Sequence, residues 1–437
     1  MNMLRAHSLA RLSGSWLGLF FLFLSFPDQQ LTAQVNFKYF LDSARAKNSE
    51  LVSLRAQRNY LNLESTMIHA ANLSPKVYIS SDYLFTPYFN NNGKLITGNP
   101  EDKAFGYDIN ITDGGLYALL VNFEYPVFNR MHVNSLLGQN MLEIAKIDTR
   151  IKTIELDLEH SLANMYLDAL SMQSALQNAE EILNLLSEQI KIVQTLTMHG
   201  MYRYLDYKLM ETAVKTDSID YLSSKAAYGL SLGQLKTACG ITDTSINLLA
   251  PYEIMQEQPV SENSLFLKTY QEDSLAAIWQ QKVFNSQYRP QVKLFANSGL
   301  NSATIPYMGH HVGVGAGVQL TYNLFDGRQK YINRQQQMLL IDEASRLKEL
   351  KYTEIKSQLE SYRTTIESTK ATVRKEMVLN KEYDELLLIY GEELKNAQVS
   401  IIDYLNFLQQ YNRNKLSLNL HQIALNILIN EYNYWNH

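Results

Sequence analysis

The chain has 437 residues, 39 Lys+Arg against 44 Asp+Glu (net charge −5), and one cysteine, Cys239. A chain this long exceeds what one hydrophobic core fills unless the fold is elongated. The acidic balance argues against nucleic acid as the main partner, and a lone cysteine excludes an internal disulfide framework or a cysteine-cluster metal site.

The N-terminus reads as a secretory signal. Arg5 and Arg11 precede the apolar run Trp16–Phe26, and Leu31-Thr32-Ala33 offers small residues for cleavage before Gln34. The run is too short to span a bilayer as a helix. Loss of residues 1–33 removes Arg5, Arg11 and Asp28, leaving 43 acidic and 37 basic residues, or −6. An exported chain without a later apolar helix is either soluble or enters an outer membrane as a β-barrel.

Residues 36–73 are expected to form one helix, stopped by Pro75. Strands are expected at about 76–84 and 116–125, with residues 85–115 as a turn-rich loop. Tyr117, Leu119, Val121, Phe123 and Tyr125 alternate with Ala118, Leu120, Asn122 and Glu124. No proline falls between residues 127 and 250 or after 306. Proline inside a helix costs about 3 kcal/mol, so these two stretches suit long helices. Leu162, Met165, Tyr166, Ala169 and Leu170 keep helical spacing, and Leu183, Leu186, Ile190 and Val193 form a coiled-coil seam. From Arg130 to Gly200 the chain would run roughly 105 Å as helix. Such a helix projects and needs neighbours.

The plan then repeats. Residues 241–263, with Pro251 and Pro259, link a first copy (34–240) to a second (264–437). Phe123-Glu-Tyr-Pro-Val-Phe-Asn129 matches Leu320-Thr-Tyr-Asn-Leu-Phe-Asp326 at an offset of 197. Gly200-Met-Tyr-Arg-Tyr-Leu-Asp206 matches Ala397-Gln-Val-Ser-Ile-Ile-Asp403 at the same offset. The second copy's strands are expected at about 291–299 and 311–323. There Val312, Val314, Ala316, Val318, Leu320 and Tyr322 alternate with Gly313, Gly315, Gly317, Gln319 and Thr321. An apolar face opposite a small polar one suits a wall between lipid and water.

The signal peptide, the duplicated helix–strand–strand–helix plan and the two motif pairs resemble the TolC family of outer-membrane efflux channels, over residues 36 to 434. The resemblance implies a membrane α+β fold: a homotrimeric 12-stranded β-barrel, four strands per chain, continued by a long α-helical coiled-coil periplasmic tunnel. It implies a passive exit duct in the outer-membrane lipid, served by a periplasmic adaptor and an inner-membrane pump. It implies no enzyme activity, cofactor, metal or nucleic-acid partner. The outer-membrane component of type I protein secretion and a non-pore coiled-coil scaffold remain as alternatives.

The family's tips carry a Gly followed six residues later by an Asp, as Gly200 and Asp206 do. Ala397 replaces the second glycine, which predicts a straighter passage there. The family's lumen-facing aspartate pair falls on Asp403 and Asn406, with Asp206 as the first-copy counterpart. The family's gate-locking tyrosine and arginine positions hold Leu394 and Val399, so Tyr202 and Arg203 become the candidates for a lock. Gly200, Met201, Tyr202, Arg203, Ala397, Val399 and Ser400 form the expected adaptor-docking tip. Tyr125, Pro126, Phe128, Phe325, Asp326 and Gly327 form the strand-to-helix corner, where Gly327 permits the bend and Arg328 starts the helix. His310-His311 reads as a solvated pair and His199 as a tip-turn residue. Tyr83, Phe85, Tyr88 and Phe89 suit an interfacial girdle. No nucleophile elbow, phosphate loop or His-Glu-x-x-His appears.

Overall fold

The computed structural model describes residues 34–91, 94–97, 105–106, 115–258, 264–303 and 305–437. The expected signal segment 1–33 and most of the first strand-connecting loop lie outside them. Helices α1 (Phe37–Lys47) and α2 (Ser49–Leu73) lead into strand β1 (Lys76–Phe85). A short hairpin follows, β2 (Tyr88–Asn91) and β3 (Lys94–Thr97), then β4 (Gly115–Val127). Helices α3 (Arg130–Met198) and α4 (Tyr204–Ala238) form a long hairpin. The second half contains α5 (Leu265–Ser286), β5 (Gln291–Ser302), a 3-10 turn (Ile305–His310), β6 (Val312–Thr321), α6 (Gln329–Lys395) and α7 (Ile401–Asn436).

The single helix expected over 36–73 is two. Asn48 has extended backbone dihedrals, and its side chain accepts from Leu51 N at 2.9 Å, so it caps a new helix. Asparagine is among the best N-caps because its short amide satisfies an orphan N–H. α3 is 69 residues long, about 100 Å at 1.5 Å per residue. Nothing in its sequence interrupts the hydrogen-bond ladder.

β1, β4, β5 and β6 make one antiparallel sheet in the order β1-β4-β5-β6. Its register puts Val77, Phe123, Ala296 and Ala316 in one cross-strand row, and Ile79, Val121, Ser298 and Val314 in the next. The other face carries Ser80, Asn122, Asn297 and Gln319. On that face Asn122 donates to Ser80 Oγ at 2.8 Å and Lys293 pairs with Glu124 at 2.8 Å. Within the chain the sheet is open: β1 and β6 each have one neighbour.

The helices follow the strand order. Next to the sheet α2, α3, α5 and α6 pack side by side, and farther away α4, α3, α7 and α6 do. The result is a one-layer curtain with α2 and α4 at one edge and α6 at the other. No helix among the described residues is long and apolar enough to cross a membrane. Halfway down, α1 and residues 241–250 wrap α3 and α4 around a core of Phe40, Leu162, Tyr166, Tyr228 and Leu235. Tyr166 Oη donates to the carbonyls of Val35 and Ala250 at 3.0 and 2.7 Å. Residues 251–258 are tied to α7 by Asn426, which accepts from Ile254 N, and Asn433, which accepts from Glu257 N.

Candidate functional site: the paired helix tips and the strand wall

The two helical hairpins turn in the same way. Gly200 N donates to Thr197 O and Met201 N to Leu196 O; Ala397 N donates to Leu394 O and Gln398 N to Glu393 O. This is the Schellman pattern, which needs a left-handed residue after the helix. Gly200 supplies it at φ +77° and Ala397 at φ +55°. The straighter passage expected at Ala397 is therefore incorrect. The two backbone hydrogen bonds closing the turn, together with burial of Leu394 and Ile401 on either side, hold alanine in a conformation that costs an L-residue about 1–2 kcal/mol.

The downstream helices start with side-chain caps of different character. In α4, Arg203 N donates to Asp206 Oδ2 at 3.1 Å, and the guanidinium binds both carboxylate oxygens at 3.0 and 2.9 Å. Asp206 is buried, and the Arg203 side chain holds its carboxyl below the usual carboxylate range against the opposing effect of burial. In α7, Ser400 Oγ accepts from Asp403 N at 3.1 Å and donates to Asp403 Oδ2 at 2.6 Å. Asp403 and Asn406 are exposed, one helical turn apart. The two copies thus place matching aspartates in opposite surroundings, one consumed by a cap and one facing outward.

Tyr202 joins the tips. Its hydroxyl donates to Val399 O at 2.8 Å and reaches Leu394 O at 3.3 Å. These are the two positions where this sequence has leucine and valine instead of the tyrosine and arginine that the family resemblance implies. Burial, and then the Asp206 charge, raise the Tyr202 phenol, so it stays a donor. Beneath it lies a core of Ile182, Leu186, Met210, Leu394, Ile401 and Tyr404, with Phe407 stacked on Tyr390 at 4.4 Å between centroids. Sequence reasoning missed this aromatic stack. Its signal was present: Tyr383 and Tyr390 are seven apart on α6, and Phe407 and Tyr411 four apart on α7. Met201 is exposed beside the turn, and His199 Nδ1 contacts Thr195 O at 2.8 Å.

At the other end, Tyr125 lies on the apolar face opposite Leu294. Pro126 falls beyond the last β1–β4 pair, Lys76–Glu124, so its missing N–H breaks no ladder on that side. The chain then bends through Phe128 at φ +60° in the first copy, and through Gly327 and Arg328 at +63° and +69° in the second. Asp326 caps α6, accepting from the N–H of Arg328 and of Lys330 at 2.9 Å each. Phe325 is fully exposed just before it. His310 ends the 3-10 turn, and His311 accepts from Asn301 N through its carbonyl at 3.1 Å. Of the proposed girdle, Tyr83, Phe85 and Phe89 are exposed, whereas Tyr88 is buried. Among the described residues no cluster of three His, Cys, Asp or Glu side chains has metal-site geometry.

No protein-family model and no curated protein matches the sequence. Solved structures do. The outer membrane protein VceC of Vibrio cholerae superimposes with a TM-score of 0.67 at 14% identity, over 92% of this chain and 95% of that one. The Campylobacter jejuni CmeC outer membrane channel gives 0.67 at 12% identity, over 92% and 85%. The fold is that of the TolC-family outer-membrane channels. The Neisseria gonorrhoeae MtrE outer membrane channel, solved in an open state, agrees at 0.64 and 13%, over 92% and 88%. The shared fold therefore covers 92% of this chain, at a sequence identity where few side chains are shared.

Proposed function

We propose that the protein is an outer-membrane exit duct, which passively conducts substrates delivered by a periplasmic adaptor and an inner-membrane pump. The observation that carries this reading is the sheet. Four strands share one largely apolar face, and β1 and β6 each leave one edge unpaired. Unpaired hydrophobic edges invite aggregation unless they are closed. Three copies, joining β6 of one to β1 of the next, would give a closed 12-stranded barrel. The curtain offers the same complementarity below, because Leu339, Leu350 and Leu388 on α6 and Leu63, Ile219 and Leu222 on α2 and α4 are all exposed.

In such a trimer the hairpin turns form the narrow end, and Tyr202 acts as the latch between the two hairpins of each chain. Asp403 and Asn406 line the constriction. Three carboxylates near one axis repel by roughly 1–4 kcal/mol per pair, depending on the local dielectric, so a cation there favours closure. Gly200, Met201, Arg203, Ala397 and Ser400 border the adaptor surface. Planar-bilayer recording of the membrane-extracted protein tests this, with and without a divalent cation. Small, discrete, cation-sensitive openings are expected. A folded trimer that stays silent even after Tyr202→Phe would refute the duct.

A further inference from the structure

The border between the helices and the sheet carries an electrostatic feature that conduction does not require, concentrated at the α5–β5 junction and the start of α6. Residues 65–76, 124–142, 274–293 and 322–341 border the helical end of the sheet. They contain eight lysines and arginines but two carboxylates, in a chain whose net charge is −5, and the basic band ends where Glu64, Glu143, Asp273 and Asp342 follow on the helices. Both carboxylates are occupied. Glu124 pairs with Lys293 and accepts from Tyr78 Oη at 2.9 Å, and Asp326 is held by the backbone N–H groups of α6. Arg130, Arg289, Arg328, Lys330 and Arg334 remain exposed. None of these five forms an ion pair among the described residues.

The same band is apolar beside its cations. Leu324, Phe325 and Phe128 are 90%, 88% and 84% exposed. That exceeds most of the strand face that they continue, where Val121 is 49% exposed and Val77 67%. Exposed rings beside long basic side chains suit a membrane interface: the rings enter the acyl region while the cations stay at phosphate level. A neutral leaflet would leave five cations without counter-charges, whereas an anionic one attracts each of them.

We propose that this collar docks on anionic phospholipid in the leaflet facing the helices, and so fixes the height of the sheet in the bilayer. The inference rests on the sheet being a membrane wall, as the proposed function has it. Membrane-extracted protein is reconstituted with vesicles of phosphatidylcholine, or of an equimolar mixture with phosphatidylglycerol. Partition is read by flotation and conductance is recorded on the same samples. At low salt, partition into the anionic vesicles is expected to be at least about tenfold higher, since each basic residue near such a surface contributes on the order of a tenfold factor or less. High salt should erase the preference. Replacing Arg130, Arg289, Lys330 and Arg334 together with glutamine should remove it, and replacing the three arginines with lysine should keep it.

Equal partition into both vesicles overturns the proposal, as does an unchanged preference in the glutamine variant. Competition by inorganic phosphate at matched ionic strength also overturns it, because that would indicate a discrete anion pocket. Conductance without lipid preference defeats the collar and leaves the duct standing. Salt-removable binding to anionic vesicles without conductance defeats the duct and leaves the basic collar. Flotation with neither vesicle defeats both.

Discussion

Gly200 and Ala397 occupy one conformation with different intrinsic costs. A Cβ built at Gly200 meets no atom within 4 Å, so Gly200→Ala acts through the backbone alone. It should destabilise the hairpin by about 1 kcal/mol. Ala397→Gly relieves the same strain, partly offset by the flexibility of glycine in the unfolded chain, and should stabilise by up to about 1 kcal/mol. Thermal unfolding of the two variants should shift in opposite directions. Tyr202→Phe removes the only side-chain donor described between the tips. Leu394 O keeps its bond from Ala397 N, so the loss falls on Val399 O and amounts to about 1 kcal/mol. Faster proteolysis at residues 199–203 and larger, more frequent openings are the expected outcomes.

Among elements, the helix caps explain why matching aspartates differ. Asp206 is held below its ordinary titration range by Arg203. A carboxyl lowered on folding contributes stability above its unfolded value of about 4, and that stability is lost as pH falls through the folded value. Asp206→Asn should therefore cost about 1 kcal/mol at neutral pH, through the lost charge-assisted bonds. The gap from wild type should close as pH falls below about 4. Denaturant unfolding at a series of pH values measures this, and a pH-independent gap would contradict the cap. Asp403 in α7 is exposed and capped by Ser400, so Asp403→Asn should change stability by less than about 0.5 kcal/mol.

For the whole molecule, strands and helices share one lateral order, so in the proposed trimer closing the sheet and closing the curtain would be one event. On the proposed function the apolar strand face would be buried only in lipid and the edges only in copies of the chain, which would leave no stable isolated state. In the proposed duct, Asp403→Ala should raise conductance and weaken block by divalent cations, because the exposed carboxylate in the first turn of α7 is gone. Unchanged block in single-channel recording would place the constriction elsewhere.

By itself the sequence determined the helical stretches and the two-faced strands. Proline-free runs from 127 and after 306 suit long helices, and alternation at 312–322 marks a strand with one apolar face. The offset of 197 aligned the two tips as counterpart positions. Three things were decided only by tertiary structure. Asn48 splits the first helix, because an N-cap competes with helix continuation and local propensity does not settle which wins. Ala397 turns like glycine, because packing on both sides of the turn outweighs a strain of one or two kcal/mol. Asp206 and Asp403 diverge, because one meets an arginine three residues back and the other a serine. The tie from Tyr202 to Val399 spans 197 residues. Only the side-by-side packing of the two hairpins brings that hydroxyl to that carbonyl.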